Sequence, residues 1–117
     1  MTSPDKLHRA IDDLWHKHLP LMQSRIEMIR KGLDALRADQ LGENLRTQAA
    51  RSAHHLAGSL GTFGLQSGSD AATEIEKMLS RESAIQHNDA VLLDTYLMQV
   101  RQAVDGRRKA SDTKEFV

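Results

Sequence analysis

Apolar residues recur along most of the chain at every third or fourth position, and no run of β-branched residues alternates with period two. The pattern predicts helices and no strands. Leu7, Ile11, Leu14 and Trp15 form the stripe of a first helix, with Ser3 as its N-cap, Pro4 at the first helical position and Asp5 near the positive end of the dipole. Pro20 lacks an N–H and is expected to end or kink this helix near His18. A second helix is predicted over about 21–38, with Met22, Ile26, Ile29, Leu33 and Leu36 turned inward, and a loop over 39–44.

A third helix, over about 43–63, carries Leu45, Ala49, Ser52, Ala53, Leu56, Leu60 and Phe63 on one side. Gly64 and the polar residues up to Asp70 mark a tight turn. A fourth, over about 67–81, turns Ala72, Ile75, Met78 and Leu79 inward. Asn88 is expected to cap a fifth, in which Leu92, Leu93, Tyr96, Val100 and Val104 repeat until Gly106 stops it. Short connections between long amphipathic helices imply antiparallel neighbours. The expectation is an all-α fold: an antiparallel up-down four-helix bundle over 1–106, with an additional short N-terminal helix against one end. A polar tail or linker follows over 107–117.

A length of 117 residues suits one core. Sixteen Lys+Arg offset sixteen Asp+Glu, so long-range attraction to nucleic acid or an anionic membrane is weak. The absence of cysteine excludes disulfides, thiol catalysis and thiolate metal sites. No apolar run approaches the roughly 20 residues that span a bilayer, and the first residues have no apolar signal core. A monomeric cytoplasmic domain is expected.

The segment from Ala50 to Leu65 carries the chemistry. At about 100° per residue, His54 and Leu56 face nearly opposite ways, so a core role for Leu56, Leu60 and Phe63 turns His54 to water. Thr47, Ala50, Arg51, Ala57, Gly58 and Gly61 share its face, and nearly all are small. An interior glycine costs a helix roughly 1 kcal/mol relative to alanine. Helical side chains lean toward the N-terminus, so a long residue at 57 or 58 would lie across the imidazole. The small residues are expected to leave a flat shelf beside His54; the alternative use of Gly58 is close helix packing.

The run His54-His55-Leu56-Ala57-Gly58-Ser59, continued by Leu60-Gly61-Thr62-Phe63-Gly64-Leu65, resembles the motif of the histidine phosphotransfer (HPt) domain. The family's downstream signature appears as Ala72-Thr73-Glu74-Ile75-Glu76, and the resemblance runs from about Leu14 to Val104. It selects His54 from the adjacent pair as phosphoacceptor. It implies a phosphorelay module that takes a phosphoryl group from the aspartyl phosphate of a response-regulator receiver domain and passes it to another, downstream of a histidine kinase. The family uses Nε2 of the ring. An ordinary imidazole, with pKa about 6.5, is mostly neutral at pH 7 and has a lone pair for in-line attack. No cofactor of its own is implied: Mg²⁺ and the acidic pocket belong to the receiver. No nucleotide-binding loop is present, in keeping with a covalent intermediate rather than an enzyme with turnover.

If the third and fourth helices form a hairpin centred near Leu65, the residue opposite His54 is Glu76. A carboxylate there would take Nδ1–H and leave Nε2 as nucleophile; the alternative is a solvated Glu76 paired with Lys77. Many HPt domains carry a lysine three residues after the histidine, where this chain has Ala57. Arg51, on the face of His54, is the substitute expected to meet phosphoryl oxygens, with His55 as a further contact or a boundary residue. No His pair stands at i and i+4, so no metal site is expected. The Arg107-Arg108-Lys109 cluster reads as a solubilising end. A rival from another class is a helical adaptor that binds a signalling partner without being phosphorylated; an exposed His54 kept clear of cover disfavours it.

Overall fold

The computed structural model describes residues 4–80 and 85–114, and within them every regular element is helical. Four long helices, α1 (Pro4–Arg37), α2 (Glu43–Thr62), α3 (Gln66–Ser80) and α4 (Ala90–Lys114), each pack on their sequence neighbours, and α4 closes against α1. This is the antiparallel up-down bundle that the apolar spacing predicts. The expected Ser3 cap and the Arg81 end of the fourth predicted helix lie outside the described residues.

The separate short N-terminal helix is not found: it is the first half of α1, which continues through Pro20. Pro20 lies on the exposed face, as does His16, whose carbonyl loses its helical donor and can turn to water. Buried Trp15 and Met22 hold the helix on the bundle above and below that point. The N-terminal stripe is also corrected. Only Trp15 is buried, whereas Leu7 is 57%, Ile11 38% and Leu14 49% exposed.

Both hairpin turns close in the same way. In each, an N–H five residues on returns to the helix and a left-handed residue follows the last turn. After α2, Gly64 (φ 76°) donates to Gly61 O at 3.0 Å and Leu65 to Leu60 O at 2.8 Å. After α1, Asp39 (φ 53°) donates to Leu36 O at 3.2 Å and Gln40 to Ala35 O at 2.8 Å. α4 begins differently from expectation. A 3₁₀ turn (His87–Asp89) precedes it, and Gln86 with Asp89, not Asn88, forms the reciprocal cap.

Met22, Ile26, Ile29, Leu33 and Leu36 of α1 meet Ala49, Ala53, Leu56 and Leu60 of α2 and Ala72, Ile75, Met78 and Leu79 of α3 in one core. On α4 the buried stripe is Leu93, Leu97, Val100 and Val104, while Leu92 is exposed and Tyr96 half-buried. Leu45, Ser52 and Phe63 are half-buried at its margin. Gly106 does not stop α4, which runs on to Lys114. Arg107 there pairs with Asp12 of α1 and lays its guanidinium 5.4 Å from the centre of the Trp15 ring.

Candidate functional site

Residues 54 to 64 of α2 and its turn occupy the outer side of the bundle, with Leu56 and Leu60 beneath them in the core. Their burial turns His54 outward, and its side chain is 69% exposed. The α2–α3 hairpin fixes what lies beside the ring. Ser69 Oγ donates to Ala57 O at 2.7 Å, and the Arg46 guanidinium donates to Leu79 O at 2.6 Å. Between these ties Glu76 comes opposite His54, and Nδ1–H donates to Glu76 Oε2 at 2.7 Å. The carboxylate is 30% exposed, so water only partly competes for it. Lys77, the alternative partner, instead reaches Glu74 at 3.2 Å. With Nδ1 bearing the shared proton, Nε2 keeps the free lone pair.

On the side of α2 turned toward α1 lies a groove of about 720 Å³. His54, His55, Gly58, Ser59 and Thr62 form one wall, Ile11, Leu14, His18 and Arg25 the other, and Phe63 with Gly64 close an end. Phe63 meets Trp15 edge-on at 5.2 Å between ring centres. A Cβ built on Gly58 has no heavy atom within 4 Å, so this glycine leaves open space and does not serve close packing. Packing glycines lie elsewhere: a Cβ on Gly68 would come to 2.7 Å from Ala103 Cβ, and one on Gly32 to 3.2 Å from Ala49 Cβ.

The single flat shelf expected around His54 is not what forms. About the helix axis, Ala50, Ala57 and Gly61 lie roughly 20–60° to one side of His54, and His55, Gly58 and Thr62 roughly 40–100° to the other. The first set faces α3. Ala50 and Ala57 are half-buried against the core, and a Cβ on Gly61 would sit 3.4 Å from Ser69 Oγ. Only the second set borders the groove. Arg51 is exposed and outside the groove wall. The α1 wall, Arg25 included, has no signal in the local motif, because only the fold of α1 onto α2 brings it there. Ile11 and Leu14 carry a signal, an apolar stripe, but that period alone reads as core.

Among the described residues no group of three or more His, Asp or Glu side chains is gathered as metal ligands would be, and no helix is long and apolar enough to cross a membrane. A family model described as the Hpt domain matches residues 13–110. The chain is also similar to protein RcaC of Microchaete diplosiphon, with 28% identity over 95 residues, covering 81% of this chain and 15% of that protein. It thus spans only a small part of the relative it matches. No solved structure matches.

Proposed function

Because the chain belongs to the Hpt domain family, whose members act as histidine phosphotransfer modules of phosphorelays, we propose that His54 is its phosphoacceptor and exchanges the group with receiver-domain aspartates. The observation that carries this reading is the state of one ring: 69% exposed, Nδ1–H held at 2.7 Å by Glu76, and bordered by an open groove. Nε2 is then the nucleophile, in the tautomer that attack needs.

The step balances without moving a proton. The Nε2 lone pair forms a bond to phosphorus as the bond to the aspartyl oxygen breaks, and the receiver leaves as a free carboxylate. The imidazole starts neutral, keeps its proton on Nδ1 and becomes a phosphorylated imidazolium. The Glu76 carboxylate offsets the positive charge that grows on the ring. Positioning and charge stabilisation dominate such a transfer, so the chain needs no nucleotide site of its own. Receiver and Mg²⁺ supply the rest of the centre. The reverse step returns the group to a second receiver, so the domain acts as a carrier without independent turnover.

The test is incubation with a phosphorylated receiver, following label onto this chain. Acid-labile label on wild type and none on His54→Gln is the expected result. Undiminished labelling of His54→Gln overturns the assignment, and binding of receivers without any transfer favours an adaptor instead.

A further inference from the structure

We infer that Arg25 of α1 is the cation that meets the phosphoryl group on His54; the assignment rests on the phosphotransfer reading and supplies a residue it otherwise lacks. A phosphoryl group on Nε2 carries nearly two negative charges and three acceptor oxygens. Position 57, where a lysine would answer them, is alanine. Among the described residues, one Lys or Arg lines the groove beside His54, namely Arg25, and no Asp or Glu does. Glu76 lies against Nδ1 and is absent from the groove wall, so its charge does not draw Arg25 away there.

The state of Arg25 is unusual for this molecule. It is half-buried, and among the described residues it has no hydrogen-bond or ion-pair partner. The other half-buried arginines are engaged: Arg30 with Glu27 and Asp34, Arg46 with Leu79 O, and Arg107 with Asp12. On its own helix, the positions three and four residues away are Leu21, Met22, Met28 and Ile29, so no acid is in reach along α1. A guanidinium held at a groove wall with its donors unused is preorganised for a phosphoryl group. Its planar fork matches two of the oxygens at once. Arg25 forms no covalent bond and gives up no proton; it binds the group as it arrives.

The test separates this assignment from the phosphotransfer reading. Wild type, Arg25→Met, Arg25→Lys and Arg51→Ala are phosphorylated with potassium phosphoramidate, which needs no receiver: Nε2 bonds to phosphorus and ammonia leaves. Far-UV circular dichroism confirms folding, and Met keeps the aliphatic stem should the site need it. Labelling of Arg25→Met is expected to slow about ten-fold or more, with an intermediate rate for Arg25→Lys, which restores the charge without the fork. In ³¹P NMR, the second ionisation of the phosphohistidine should move to higher pH in Arg25→Met, since the guanidinium favours the dianion. Equal rates and an unmoved titration in Arg25→Met, with wild type labelled on His54, overturn the assignment and leave the phosphotransfer reading standing. A loss confined to Arg51→Ala also overturns it. Failure to label wild type with either phosphoramidate or a phosphorylated receiver removes both.

Discussion

At the scale of single residues, the pairing of His54 with Glu76 has two separable effects. The carboxylate orients the ring through Nδ1–H, and its charge offsets the imidazolium that forms on phosphorylation. Glu76→Gln keeps an acceptor oxygen without the charge, and Glu76→Ala loses both. Initial phosphorylation should slow about ten-fold in the alanine variant and less in the glutamine one, as expected for loss of an orienting, charge-balancing group. Receiver affinity, measured by titration calorimetry, should stay within about two-fold, because Glu76 projects from α3 against His54 Nδ1 and is absent from the groove wall. An alanine variant with the wild-type rate would remove both effects. The geometry of this pair was legible in the sequence because a hairpin obeys simple counting: residues equally far from the turn meet. Arg25 was not legible, since no local period relates it to His54. Arg107 was misread for the same reason, its partner Asp12 standing at the opposite end of the chain.

At the scale of elements, the glycines divide by what surrounds them. Gly58 has open space and Gly68 has Ala103 and Leu60 against it, so the two should answer substitution with opposite signs. Gly58→Gln should raise stability by roughly 0.5 kcal/mol through helix propensity alone, while slowing transfer from a receiver by covering the imidazole. Gly68→Ala should lower it by roughly 1–3 kcal/mol, since a Cβ there forces α3 and α4 apart. Urea denaturation of both variants, with transfer assayed beside it, checks the pair. A destabilised Gly58→Gln would mean that the glycine serves packing after all. The interior of α2 and α3 could be read directly from spacing, because every apolar residue there found a partner helix. The first half of α1 could not. Its stripe has the same period whether a neighbour covers it or not, and here α2 and α4 leave Leu7, Ile11 and Leu14 in contact with solvent. Proline punctuation misled in the same region, since a ring on the exposed face interrupts one hydrogen bond without disturbing the buried contacts that hold α1.

At the scale of the whole molecule, α1 sets the form: 34 residues at about 1.5 Å each account for the longest dimension of 53 Å. Its N-terminal half is steadied by the far end of α4, where Arg107 pairs with Asp12 and covers the Trp15 ring. Both side chains of that pair are mostly buried, so Arg107→Ala should cost roughly 1–3 kcal/mol in chemical denaturation. Arg108→Ala, at an exposed neighbour, should change stability by less than about 0.5 kcal/mol. Equal effects would show that the α4 extension contributes nothing specific. Trp15 is the chain's single indole, fully buried, with no hydrogen-bond partner for Nε1 among the described residues, and it touches Phe63 at the end of the groove. Nature has thereby placed a fluorophore one ring away from where a visitor would sit, and its emission can report each arrival and departure in real time without any attached dye.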